Sequence, residues 1–126
     1  ESEKSVLKNK GYFGQDDFSL ALCGSNITSA QIELLINYLK VEEVIIALDK
    51  EFKDHNSMLA DLYRNKIYKK IAPLLAYCKV SVLWDDQDLL EYKDSPCDKG
   101  KDALLQMLDN KKVITMKDLE VLNEEK

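Results

Sequence analysis

The sequence has no long apolar run and no recognisable leader. Its longest uninterrupted aliphatic stretch is Val44 to Leu48, far short of the roughly 20 apolar residues that a membrane-spanning helix requires. The chain starts Glu-Ser-Glu-Lys, without a basic segment followed by an apolar one, so no secretory signal is expected. These shortages predict a chain with no membrane partner.

Cysteine and histidine are also scarce. The three cysteines, Cys23, Cys78 and Cys97, are an odd number and contain no Cys-x-x-Cys pair. Taken with the single His55, their spacing matches no zinc-ligand pattern. Cysteines in apolar segments are usually packing residues. We therefore expect reduced, structural cysteines and a cytoplasmic location.

Basic residues are outnumbered by acidic ones. The 126 residues include 18 Lys+Arg and 23 Asp+Glu, for a formal net charge of −5, and no polybasic patch is present. Hydrophobic residues make up 45% of the chain, which is enough for a core without disulfides or metals. The composition predicts one folded domain and excludes a mainly disordered tail.

Strand-like and helical segments alternate along the chain. Strands are predicted over residues 18–23, 43–49 and 79–84, and the second, apolar on both parities, is expected at the centre of the sheet. A helix is predicted after the capping box formed by Thr28 and Gln31, and further helices are predicted from Ser57 and over residues 101–108. This order indicates an α/β fold with a mostly parallel sheet flanked by helices on both faces.

The helix predicted from Ser57 is long and amphipathic. Pro73 lies near its end and is expected to kink the helix or restart its last turn. The residues predicted to face the core are Met58, Leu59, Leu62, Ile67, Ile71, Leu74 and Leu75.

Acidic residues follow the predicted strands. Asp49 and Glu51 flank Lys50 directly after the second strand, and further acids follow the third strand in the loop over residues 85–99. Positions i and i+2 of an extended segment point the same way, so both carboxylates can converge on one cation. Clustered carboxylates are typical Mg²⁺ ligands and indicate phosphate-ester chemistry. The alternative is that these acids are only the solvated beginnings of loops.

These residues resemble the Toprim domain of DNA primases, above all the primase-like proteins of phages and prophages. The resemblance rests on Asp49-x-Glu51, on the turn and helix cap around Thr28, and on the loop over residues 93–101. It covers residues 1–110 as a Toprim-like, Rossmann-like domain and leaves residues 111–126 as a C-terminal helical extension.

The resemblance implies a set of site residues. Glu1, Asp49 and Glu51 match the catalytic and metal-binding acids of the family, and Asp94 and Asp98 match further metal-binding acids in the late loop. Glu51 stands where the family has an aspartate. Ser5 stands where the family has a second acid of the first motif, and the strand that precedes that motif is missing, as in an N-terminally truncated domain.

The family likeness also implies a cofactor and partners. Mg²⁺, or Mn²⁺ in its place, would support nucleotidyl transfer that makes RNA primers on single-stranded DNA during replication. In the intact protein the implied partners are the single-stranded DNA template and nucleoside triphosphates, with a replicative helicase as a further candidate. A missing strand would leave an open sheet edge, which favours a homodimer. This chain alone is not expected to make primers.

Two other classes of function stay open. The acids would serve equally in another Toprim phosphodiester enzyme, of a topoisomerase-like or nuclease-like kind. The serine at position 5 and the missing strand favour a non-catalytic interaction domain that keeps the fold. Fold likeness alone does not rank an enzyme against a degenerate relative.

Overall fold

The computed structural model describes residues 3–16, 19, 21 and 27–124. Short 3₁₀ and π-helical turns, Gly14–Asp16 and Leu34–Tyr38, continue the first and second helices. The helices are α1 (Glu3–Phe13), α2 (Ser29–Glu33), α3 (Met58–Leu75), α4 (Lys101–Asp109) and α5 (Met116–Glu124), and the strands are β1 (Glu43–Ile46), β2 (Lys79–Val82) and β3 (Lys112–Ile114).

The described strands form one small mixed sheet in the order β1-β2-β3. β1 and β2 are parallel, with Glu43 opposite Lys79, whereas β2 and β3 are antiparallel, with Val80 opposite Ile114. The α/β class is confirmed, but the sheet of described strands is not mostly parallel, because it has one parallel and one antiparallel pair. The strand over residues 43–49, expected at the centre, corresponds to β1 and lies at an edge of this sheet, with β2 between the other two strands. The predicted strand over residues 18–23 lies outside the described residues, apart from Ser19 and Ala21.

The C-terminal residues expected as a helical extension begin with a strand. β3 is short, and its Ile114 is buried against the sheet. The following helix, α5, is capped by Asp118, whose carboxylate accepts hydrogen bonds from the Thr115 backbone N–H at 2.7 Å and from its hydroxyl at 3.0 Å. Residues 112–114 therefore belong to the same sheet as the strands before them.

α3 covers one face of the sheet and forms the larger core with it, which we name the α3 core. Helix packing buries Ile67, Ile71 and Leu74, as predicted. Pro73 lies inside the last turn, and the helix continues through it to Leu75. The α3 core consists of Ile46, Ile67, Ile71, Leu74, Val80, Val82 and Ile114.

Three residues of the predicted apolar stripe do not reach this core. Met58, Leu59 and Leu62 are 78%, 71% and 59% exposed, so the prediction that they are buried is wrong. The buried face of α3 runs through Ala60, Ile67, Ile71 and Leu74. At 3.6 residues per turn, the three exposed residues lie roughly 100° or more around the helix from that face.

A second core lies under the loop that joins β2 to α4. Tyr12 of α1 contacts this loop, because its hydroxyl donates to the Cys97 carbonyl oxygen at 2.9 Å. Cys97 is buried and Cys78 is half-buried, which agrees with a packing role. The second core consists of Leu83, Leu90, Cys97, Leu104 and Met107.

Among the described helices, none combines the length and apolar content needed to cross a bilayer.

Candidate functional site at the end of the parallel strands

The parallel pair brings two chain segments to one edge of the sheet. Pairing continues past the strands, since the Leu83 N–H donates to the Ile46 carbonyl oxygen at 2.9 Å. The segment Asp49-Lys50-Glu51 therefore leaves β1 beside the start of the loop that follows β2. This edge is where ligands bind in open parallel sheets.

The middle residue of that segment points into the protein. Lys50 is only 5% exposed and Phe52 only 2%, whereas Asp49 and Glu51 are half-buried. This alternation is that of an extended chain. Lys50 and Phe52 therefore occupy the buried parity of this segment, and Asp49 and Glu51 occupy the other parity.

Lys50 is held by a buried network of acceptors. Its ammonium donates to Asp85 Oδ2 at 2.9 Å, to the Leu90 carbonyl oxygen at 3.0 Å and to Asp88 Oδ1 at 3.3 Å. Asp85 is 3% exposed. An ammonium has three protons to donate, so this buried charge is fully satisfied.

The Asp85 carboxylate is satisfied equally well. Besides Lys50, it accepts the backbone N–H of Leu89 on Oδ1 and that of Leu90 on Oδ2, each at 2.9 Å. Burial alone would raise the pKa of Asp85, but the hydrogen bonds from Lys50, Leu89 and Leu90 outweigh it and hold the pKa below its usual range. The loop after β2 thus wraps around one carboxylate.

The partner lysine is shifted in the matching direction. Burial lowers the pKa of Lys50, but the hydrogen bond and charge of Asp85, with a smaller contribution from Asp88, raise it above its usual range. Both members of the pair are therefore charged at neutral pH. Two oppositely charged groups with complete hydrogen bonding can be buried without a large net cost.

Aromatic side chains pack beside this pair. Phe52 stacks on Trp84 with ring centroids 4.5 Å apart, and the Lys50 ammonium lies 5.2 Å from the Phe52 centroid. The Tyr63 hydroxyl, from α3, donates to the Asp49 carbonyl oxygen at 2.8 Å. The cavity between these groups has a volume of about 10 Å³, enough for one water molecule. A ligand larger than a water molecule does not fit between these groups.

Two backbone hydrogen bonds clamp the late loop to the same segment. The Lys50 N–H donates to the Asp94 carbonyl oxygen at 2.8 Å, and the Lys93 N–H donates to the Lys50 carbonyl oxygen at 2.7 Å. We name these two bonds the backbone clamp. Lys93 has φ of 77°, a left-handed conformation that costs a non-glycine residue roughly 1–2 kcal/mol. The hydrogen bond from the Lys93 N–H to Lys50 thus forms although Lys93 has a strained backbone conformation.

The predicted site residues are only partly brought together. Glu1 lies outside the described residues. Glu51 is beside the late loop, where it forms an ion pair with Lys93. The carboxylate of Asp94 turns back into its own loop, accepts the Glu91 N–H at 2.9 Å and lies 3.5 Å from the Lys99 ammonium.

Asp98 lies further along the loop and is also engaged. It accepts the Ser95 N–H at 2.8 Å and forms an ion pair with Lys8 of α1. Burial raises its pKa, but the bonds from Lys8 and Ser95 outweigh this and lower it overall. Within residues 3–16, 19, 21 and 27–124, no three His, Cys, Asp or Glu side chains form a group that could hold a metal ion.

The sequence interpretation missed Lys50 and the role of Asp85. The spacing of Asp49 and Glu51 assigns no role to Lys50 between them, and it does not distinguish Asp85 from the other acids of the loop. The available signal was parity, because Ile46, Leu48, Lys50 and Phe52 occupy alternate positions of one extended segment. A lysine on the apolar parity predicts a buried cation that needs a buried acid.

The chain is similar to a protein of prophage origin. The chain is 44% identical over 119 residues to the SPbeta prophage-derived uncharacterized protein YorJ of Bacillus subtilis strain 168. The match covers 88% of this chain but 31% of that protein, so the chain spans about a third of the length of its relative. No protein-family model matches the chain. No solved structure matches it either.

Proposed function

We propose that this chain is the Toprim-like domain of a prophage-encoded DNA primase, in which Asp49 and Glu51 take part in Mg²⁺-dependent nucleotidyl transfer. The observation that carries the proposal is the backbone clamp. It joins Lys50, which lies between the two acids, to the late loop. The ion pair between Glu51 and Lys93, which are 42 residues apart in sequence, links the same two segments. These are the two acidic segments that the Toprim resemblance requires at one site.

The donor chemistry fits the ion. Mg²⁺ is usually bound through one or two carboxylates and keeps its remaining positions for water and substrate phosphates, so a group of three protein ligands is not required. When bound, Mg²⁺ neutralises triphosphate charge and activates the attacking hydroxyl. Asp49 and Glu51 would supply the carboxylates, with Glu1 as the third member that the family likeness implies.

The surrounding residues have supporting tasks. The Lys50–Asp85 pair fixes the backbone between the acids, and Tyr63 holds the Asp49 carbonyl oxygen. Lys93 neutralises Glu51 in the free protein and would give up this contact when a divalent cation binds. A second ion near Asp94 and Asp98 would require both carboxylates to leave their present partners.

The remaining parts of the proposal concern the whole protein. The relative extends well beyond the matched region, and primer synthesis would use regions other than this acidic domain. Single-stranded DNA, nucleoside triphosphates and a replicative helicase are its proposed partners, in a cytoplasmic setting, and a second copy of the chain is another. We expect this chain alone to bind the ion but not to make primers.

Metal titration tests the proposal. Isothermal calorimetry with Mn²⁺ in about 0.1 M salt, where long-range charge effects are screened, is run on the wild type, on Asp49→Asn and on Asp109→Asn as an exposed control. We expect binding by the wild type and the control, and at least tenfold weaker binding by Asp49→Asn. Equal heats for all three proteins, or no binding by any, would contradict the proposal.

A second candidate is a non-catalytic interaction domain with the same fold. The ion pairs favour it, since Glu51, Asp94 and Asp98 are each engaged by a lysine. Acids paired with lysines in this way would hold the loop in place and would not bind a metal ion. In that case Lys93→Gln would lower stability without any gain in Mn²⁺ affinity, whereas a metal site in competition with Lys93 would bind Mn²⁺ several-fold more tightly in this variant.

A further inference from the structure

Tyr92 is an exposed aromatic residue beside the candidate site. It lies in the loop between β2 and α4, and 46% of its surface is accessible. Among the described residues it joins neither the α3 core nor the second core. Packing therefore does not account for a large aromatic ring at this position.

Two lysines flank the Tyr92 ring. The Lys53 ammonium lies 5.5 Å and the Lys93 ammonium 5.2 Å from the ring centroid. Lys93 also pairs with Glu51, so these contacts combine two cations with one anion. Lys53 and Lys93 therefore present two ammonium groups at the face of one exposed aromatic ring.

The ring is presented by a fixed turn. The Asp94 N–H donates to the Glu91 carbonyl oxygen at 3.0 Å, and the Asp94 carboxylate accepts the Glu91 N–H at 2.9 Å. The backbone clamp then ties Lys93 and Asp94 to Lys50. Because the backbone is already ordered, a ligand that binds here loses little further loop entropy.

We propose that Tyr92, Lys53 and Lys93 form a stacking site for single-stranded nucleic acid, in which a base stacks on the Tyr92 ring and the two ammonium groups contact phosphates. An aromatic platform beside basic side chains is the combination by which proteins bind single strands without sequence preference. The inference rests on the proposed function for the relevance of its position, next to Asp49 and Glu51.

The contacts made with a bound strand would be stronger than the contacts within the free protein that they replace. In the free protein the lysines make exposed cation–π contacts, which are weaker than base stacking on an aromatic ring. Lysine side chains have several rotatable bonds, so each ammonium can move from the ring to a phosphate while the ring stays in place. Each phosphate contact also releases counterions, which makes binding salt-dependent.

Fluorescence anisotropy with a 5′-labelled 16-residue oligothymidine tests this site. Titrations use the full chain at low salt with EDTA, so that no divalent ion takes part. We expect measurable binding by the wild type, at least about tenfold weaker binding by Tyr92→Ala, and a change within about twofold for Tyr92→Phe, which keeps a stacking ring. Lys53→Gln should reduce the slope of log affinity against log salt by about 0.7.

Tyr77→Ala is the matched control, since Tyr77 is 63% exposed and follows the C-terminal end of α3. It should bind as the wild type does, and each variant is first shown to unfold cooperatively in urea. No oligonucleotide binding by the wild type, or equal affinity for Tyr92→Ala and Tyr77→Ala, would overturn the site. The anisotropy titrations contain EDTA, so they do not depend on a bound metal. If the wild type binds the oligonucleotide but shows no Mn²⁺ binding in calorimetry, the primase proposal is overturned and the stacking site is not.

Discussion

The α3 core and the Lys50–Asp85 pair are both buried, but they use opposite chemistry. The α3 core consists of aliphatic side chains from a helix and three strands. The pair consists of two charges enclosed by a loop, and every proton of the lysine and both carboxylate oxygens have partners. One region gains stability from contact area, and the other depends on exact partner positions.

The two regions therefore have different roles: the α3 core stabilises the fold, and the Lys50–Asp85 pair sets the position of the chain segments around it. Burying an aliphatic side chain contributes about 1.5–3 kcal/mol and tolerates modest changes of shape. A buried ion pair contributes little net energy relative to apolar residues, yet removing one partner costs several kcal/mol. The pair therefore acts mainly as a constraint that sets where Asp49, Glu51 and the late loop lie.

Removing the acid of the pair should have the largest effect. Asp85→Ala leaves the Lys50 ammonium buried without its main partner and leaves two backbone N–H groups unpaired. We expect a loss of about 3–5 kcal/mol in the free energy of unfolding, measured by urea denaturation. Asp86→Ala, which removes only a partly exposed partner of Lys112, should cost less than about 1 kcal/mol. Equal losses in the two variants would contradict the comparison.

Truncation in the α3 core should cost slightly less. Leu74 is fully buried, so Leu74→Ala creates a cavity and should lower the free energy of unfolding by about 3 kcal/mol. Leu59→Ala is the matched change on the exposed side of the same helix and should stay within about 0.5 kcal/mol. A large loss for Leu59→Ala in the same urea assay would mean that this side of α3 is covered.

The pair should also contribute to acid sensitivity. The folded-state pKa of Asp85 lies below its usual range, so between the two pKa values the unfolded chain binds more protons. Its stabilisation is present above about pH 4, the unfolded-state value, and is lost as pH falls through the folded-state pKa. We expect the urea midpoint of Asp85→Asn to fall less steeply below pH 4 than that of the wild type.

Other acids with lowered pKa values contribute to the same acid limb. The pKa of Glu43 is lowered by hydrogen bonds from Lys111 and Ser81, against the effect of burial. Glu43→Gln therefore serves as a second variant for comparison, and it should remove a separate part of the slope. Identical acid limbs for Asp85→Asn and the wild type would show that the Asp85 charge adds nothing to stability.

The smallest effect is expected at the start of α3. The Ser57 hydroxyl oxygen accepts the Ala60 N–H at 3.1 Å and caps the helix. Ser57→Ala should lower the free energy of unfolding by about 1 kcal/mol. Ser29→Ala is the control, because the α2 cap is supplied by Thr28. Thermal unfolding followed by circular dichroism compares the two variants. Equal midpoints would show that the Ser57 cap does not stabilise the protein.

Local signals predicted much of the fold. The capping box is confirmed, with the Gln31 N–H donating to Thr28 Oγ1 at 3.1 Å and the Thr28 N–H donating to Gln31 Oε1 at 2.8 Å. β1, β2, α3 and α4 fall where periodicity predicts them. β3 was missed because three residues carry little pattern, and its antiparallel pairing with β2 depends on contacts distant in sequence.

The candidate site was less predictable from sequence. The sequence shows that acids follow β1 and β2. The burial of Lys50 and the backbone clamp to Lys93 and Asp94 depend on contacts between segments that are distant in sequence. Tyr92 carries no local signal that distinguishes a packed aromatic ring from an exposed one. The orientation of Asp94 depends on its own loop turn, which no spacing rule indicates.

Amide hydrogen exchange tests whether the Lys50–Asp85 pair fixes the acidic segment against the late loop. In the wild type, the Lys50 and Lys93 amides should be protected like the Leu83 amide of the parallel pair. In Lys50→Met these two amides should lose protection by at least tenfold while the β2 amides keep it, and exposed Lys53→Met should change neither. Unprotected Lys50 and Lys93 amides in the wild type, or unchanged protection in Lys50→Met, would contradict the account.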